Sequence, residues 1–128
     1  MAPRPKDGAP PQSRVLPAGP HTSSEARLFL MEALKDLDLS VDVVGAAAPL
    51  TGELASNAAR HGGEPIGISV SVAEDGLRVS LRDHGPGFEP TDEIARGAAL
   101  GVKLVDTLAS DWGVERDNET TEVWFRIS

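Results

Sequence analysis

The sequence predicts an α+β protein, a two-layer sandwich in which a mixed, mostly antiparallel sheet carries helices on one face. Three observations lead to this class. Two stretches with apolar residues at helical spacing come first, at 22–37 and 41–61. Two runs with alternating apolar residues follow, at 66–73 and 77–81. One more helical stretch at 100–110 then leads into two short strand-like runs, 112–115 and 122–127. Helices grouped before strands, with one helix between strand pairs, describe a sheet packed under helices.

Length and composition bound the possibilities. The 128 residues make one domain that buries about 65–70% of its unfolded surface. A net charge of −8 argues against general binding to nucleic acid or anionic membrane, since both reward basic surfaces. The absence of cysteine excludes disulfides, thiolate metal sites and cysteine nucleophiles. No apolar run approaches the roughly 20 residues of a membrane-spanning helix. Arg4 and Lys6 have no hydrophobic stretch behind them, so no secretory signal is expected and the cytoplasm is the expected location.

Residues 1–12 are rich in proline, alanine and glycine and are expected to be a disordered tail, leaving 13–128 as the folded domain. Within the start of that domain, 14–16 reads as a short edge strand ended by Pro17. The segment 22–24 (Thr-Ser-Ser) carries an N-cap signal for the first helix, which Ala26, Leu30, Ala33, Leu34 and Leu37 extend to about residue 37. Ser40 is the N-cap candidate of a second helix, and Gly62 and Gly63 are its stop signals. Pro49 lies inside this helix and predicts a kink or break, because proline removes one backbone hydrogen bond. Glu74, Asp75 and Gly76 form a tight turn that makes a hairpin of the two alternating runs and delivers Asp83 at its end. The connection 84–99, rich in glycine, proline and alanine, is of a length usually kept for function.

The chemistry concentrates in two places. Glu53, Asn57 and His61 recur every fourth residue, so a helix stacks them on one face, beside a row formed by Leu50, Leu54 and Ala58. A helix that is aliphatic on one row and carries carboxylate, carboxamide and imidazole on the next suits the lining of a pocket. The second place is DHGPG at 83–87, where an acidic residue and two glycines follow a strand. Of the histidines, His61 reads as a helix-end cation complementing the dipole and His84 as an exposed turn residue, while His21 has no sequence partner that suggests a metal. Trp112 and Trp124 read as strand packing.

In order and separation, ELASNAARH at 53–61 and DHGPG resemble the N box and first glycine box of the GHKL, or Bergerat-fold, ATPases. The small size, LVDTLASDWGV at 104–114 and VWF at 123–125 bring the resemblance to the anti-sigma-factor serine/threonine kinase branch. The resemblance implies ATP and Mg²⁺ as cofactors. It implies that Asn57 holds Mg²⁺ through its carboxamide oxygen, a ligand suited to a hard ion. Glu53 is then the general base, and Asp83 accepts a hydrogen bond from the adenine amino group. Gly85 and Gly87 allow close ligand approach. Gly97 and Gly101 flank a helix entry able to receive phosphate oxygens, and Lys103 adds charge there. Thr121, or its neighbour Thr120, hydrogen-bonds near the adenine.

The implied function is an ATP-dependent protein serine/threonine kinase acting as an anti-sigma regulator, with a sigma factor and a small antagonist protein as partners. Neither nucleic acid nor membrane is expected as a direct partner, and a homodimer is expected by analogy with relatives. Two departures from the family pattern favour an alternative. Ala99-Leu100-Gly101-Val102 stands where relatives show GxGL, and Thr120-Thr121-Glu122 where they often show Gly-Lys-Thr. The alternative is a catalytically weak or silent ATP-binding-fold module that regulates transcription by sequestering a protein partner. The catalytic half of a sensor histidine kinase is expected less, since the residues before 40 leave no room for a dimerising helical hairpin.

Overall fold

Alternation of apolar residues with glycine, serine or arginine builds the centre of the sheet. In the computed structural model, which describes residues 11–84 and 108–128, strand β2 spans Ile66–Ala73 and β3 spans Gly76–Asp83. Ile66, Ile68, Val70 and Val72 of β2 and Leu77, Val79 and Leu81 of β3 are buried on one face. Ala73 pairs with Gly76 across the turn. Gly76 has φ +123°, a conformation that disfavours any side chain, and a Cβ there would run into the Ile127 carbonyl.

Three further strands complete the sheet. The edge strand β1, Gln12–Leu16, is longer than the 14–16 expected from sequence. At the other side β4, Asp111–Arg116, and β5, Thr121–Ile127, form a hairpin. Strand order is β1-β2-β3-β5-β4, and all four pairings among the described residues are antiparallel.

Helix α1, Thr22–Leu34, and helix α2, Val41–His61, pack on each other and on the apolar face of the sheet. Phe29, Leu30 and Leu34 of α1 and Leu50, Leu54 and Ala58 of α2 join the strand residues and Phe125 in one core. Among the described residues the opposite sheet face carries polar and charged side chains such as Ser69, Arg78 and Arg82, and the Arg78 guanidinium stacks 4.2 Å from the Trp124 ring centroid. The predicted helical stretch 100–110 lies outside the described residues except for its last three.

Three local expectations are corrected. The first helix ends at Leu34, not near 37: Leu37 N–H turns back to the Leu34 carbonyl, and Leu37 reaches the core from this turn rather than from a helix. The residue at its N-cap is His21, with no side-chain cap. The buried Thr22 hydroxyl instead accepts from Gly19 N–H and donates to carbonyls of Pro17 and Gly19, tying the entering loop. The second helix runs through Pro49 without the break that is one of the two expectations there. Pro49 and Gly45, the residue whose carbonyl loses its partner, both lie on the exposed side, where water replaces the bond. Ser40 caps α2 as expected, its hydroxyl accepting from Val43 N–H at 3.1 Å.

Candidate functional site

The site lies where the C-terminal half of α2 meets the end of β3. Leu50, Leu54 and Ala58 are buried against the sheet, which turns the neighbouring row of α2 toward its rim. On that row Asn57 is buried, only 6% exposed, and Glu53 is half-buried. The side chain of His61 lies outside the description. With a rise of about 1.5 Å per residue, Asn57 stands about 7.5 Å and Glu53 about 13.5 Å along the axis from Gly62.

Gly62 closes the helix, its N–H donating to the Ala58 carbonyl at 2.8 Å. Its backbone then lies against Asp83, since a Cβ on Gly62 would stand 2.7 Å from the Asp83 Cβ. The next turn of chain is fixed to the same place. His84 N–H donates to the Gly63 carbonyl at 2.8 Å, and His84 Nδ1 lies 2.9 Å from the Pro65 carbonyl oxygen. Among the described residues His84 is therefore a pin between β3 and the loop after α2.

Asp83 is 6% exposed and pairs in register with Thr121, itself 2% exposed. Both occupy the helix-facing side of the sheet, and Arg116 of β4 is the next partner along the same row. Thr120 does not join them: its N–H and hydroxyl both bond the Asp117 carboxylate, which holds it in the β4–β5 turn. A buried carboxylate beside a buried hydroxyl at a helix end provides an acceptor and a donor–acceptor for a flat polar ligand edge.

The structure thus brings Asp83 and Thr121 together and places Asn57 and Glu53 along the adjoining helix. Gly85, Gly87, Gly97, Gly101 and Lys103 lie outside the described residues. Sequence reasoning missed Arg60. Its Nη2 donates to Asn57 Oδ1 and its Nη1 to Ser56 Oγ at 3.1 Å. The signal was available, because positions three and four apart on a helix are neighbours.

No group of three or more His, Asp or Glu side chains able to hold an ion occurs among the described residues. The donor chemistry still fits a metal carried in with phosphates. Asn57 Oδ1 is a hard oxygen ligand that already accepts from a cation, and Mg²⁺ takes much of its shell from phosphate and water. Among the described residues no helix is long and apolar enough to cross a membrane.

Comparison with known proteins gives the family and the fold. The family model of the histidine kinase-like ATPase domain matches residues 16–127. The sensor protein CseC of Streptomyces avermitilis is 40% identical over 74 residues, covering 51% of this chain. That of Streptomyces coelicolor is 50% identical over 44 residues, covering 34%. The chain spans only 14% and 8% of those two proteins. A crystal structure of the RsbU and RsbW domains of Rv1364c from Mycobacterium tuberculosis superposes with a TM-score of 0.70 at 19% identity. It covers 93% of this chain, which spans 32% of that one, and at this identity the likeness is one of fold.

Proposed function

Because this chain belongs to the histidine kinase-like ATPase domain family, we propose that it binds ATP with Mg²⁺ and phosphorylates a serine on a small antagonist protein, as an anti-sigma kinase. The observation that carries the reading is the buried Asp83–Thr121 pair under Gly62, with Asn57 and Glu53 set along α2. Asp83 accepts from the adenine amino group and Thr121 bonds alongside it. Asn57 Oδ1 holds the metal, whose charge offsets that of the phosphate oxygens when bound. Gly85, Gly87, Gly97, Gly101 and Lys103 are assigned to the phosphate-side enclosure, and 13–128 to the ATPase domain.

Glu53 removes the proton from the serine hydroxyl as its oxygen attacks the γ-phosphorus. The bond from that phosphorus to the β–γ bridging oxygen breaks, and ADP leaves with the electron pair. Glu53 is half-buried and has no ion-pair or hydrogen-bond partner among the described residues, which suits a base that must meet an incoming hydroxyl. The resemblance of the 53–61 and 83–87 motifs, with 104–114 and 123–125, to the anti-sigma kinase branch supports the anti-sigma setting, with a sigma factor as second partner and the cytoplasm as location.

The test is transfer of labelled phosphate from ATP to candidate antagonist proteins by the native chain and by Glu53→Gln. A loss of about 10²-fold or more is expected for the variant. Unchanged transfer contradicts the role of Glu53. The similarity to two sensor proteins favours a second reading, in which the same ATP site serves a sensor-type protein. Ala99, at the expected glycine of the second glycine box, favours a silent module that sequesters its partner. Absent transfer with retained partner binding distinguishes that case.

A further inference from the structure

Arg60 sits one helical turn after both Ser56 and Asn57 on α2 and bonds to each. Its Nη1 donates to Ser56 Oγ at 3.1 Å, and its Nη2 donates to Asn57 Oδ1. A guanidinium has donors and no acceptor, so this bond dictates which end of the Asn57 carboxamide faces it. The oxygen is turned toward the cation. Asn57 is buried whereas Arg60 is exposed, so the positive charge reaches the oxygen from the solvent side of the helix.

That oxygen is the atom assigned above to Mg²⁺, and the inference rests on that assignment. The geometry points to Arg60 as a resident stand-in cation, which holds Asn57 Oδ1 and competes for that oxygen with Mg²⁺ brought by the nucleotide. Two consequences follow from charge alone. Arg60 keeps the carboxamide oxygen, rather than its nitrogen, toward the cation, so its orientation is already set. It also opposes the metal, because a guanidinium and a divalent ion on one oxygen repel at contact distance. Arg60 is a positioning residue of the metal site that sets how strongly nucleotide binding depends on Mg²⁺.

The experiment is calorimetric titration of ATP into the full chain in EDTA and in saturating Mg²⁺. The ratio of the two Kd values measures the coupling between metal and nucleotide. Each variant is compared with itself, so a general change in adenine affinity cancels. Arg60→Ala and Arg60→Gln are both expected to raise the ratio about five- to tenfold, the size of one solvent-exposed hydrogen bond that no longer has to be broken. Arg60→Lys, which keeps the charge without the fork, is expected to fall between them and the native chain. Asn57→Ala is expected to bring the ratio close to one.

A ratio unchanged or lowered in Arg60→Ala and Arg60→Gln, with Asn57→Ala still collapsing it, overturns the stand-in role and leaves Asn57 as the metal ligand. A ratio that Asn57→Ala leaves at the native value overturns the ligand assignment and the inference with it.

Discussion

The backbone of Gly62 lies against the side chain of Asp83, joining the end of α2 to the end of β3. Gly62 has φ −98° and ψ −177°, backbone that any residue adopts, so its lack of a side chain is not explained by torsion. Space explains it. A Cβ would stand 2.7 Å from the Asp83 Cβ and from the Ala58 carbonyl oxygen, and closer still to the Asp83 Cγ.

Gly62→Ala therefore pushes Asp83 away from Thr121 or lifts the helix end. Overpacking of this kind costs about 1–3 kcal/mol. Urea denaturation should show a loss in that range, accompanied by weaker ATP binding. A variant as stable as the native chain, with native ATP affinity, contradicts the contact.

Thr51 is fully buried on α2 and its hydroxyl has no hydrogen-bond partner among the described residues. Such a group carries a desolvation cost with nothing to offset it. Thr51→Val keeps the branched shape and removes the orphaned oxygen, so it should stabilise the protein by about 1 kcal/mol. Chemical denaturation of the two proteins checks this, and destabilisation by the valine variant is the contrary result.

The β4–β5 turn gives a pH prediction. Asp117 accepts from the N–H groups of Glu119 and Thr120 and from the Thr120 hydroxyl, and these bonds hold its carboxyl below the ordinary value of 3.8. A lowered folded-state pKa means the carboxylate favours the folded turn above the unfolded value, and that this contribution fades as pH falls through the lowered one. The amide resonances of Glu119 and Thr120 should thus stay native-like through the range in which an ordinary aspartate titrates and shift only on further acidification. In Asp117→Asn that acid-range step should vanish. A step that persists in the variant points to another group.

Much of the fold was legible in the sequence because burial here follows period. The alternation in β2 maps residue by residue onto its buried face, that in β3 does so except at Ser80, which is buried on the other face, and Ser40 and Gly62 bound α2 as their chemistry dictates. What escaped was contact between distant segments. Leu37 continued the helical spacing, yet it enters the core from a turn beyond α1. Thr22 resembled a cap and proved to be a loop tie. Gly62 read as a stop signal, and only the fold shows that it makes room for Asp83. Thr120 and Thr121 were equivalent on paper, and the β3–β5 register separates them by pairing Thr121 with Asp83.

The central claim is that Asp83, held between Gly62 and Thr121, anchors an adenine nucleotide. Calorimetric titration of ATP into the native chain and into Asp83→Asn, in the presence of Mg²⁺, tests it most directly. The variant keeps the shape that packs on Gly62 but replaces a carboxylate acceptor with an amide. The account predicts measurable binding by the native chain and at least about tenfold weaker binding by the variant, the loss of a hydrogen bond to a charged group. Equal affinities in the two proteins, or no binding by the native chain, would contradict it.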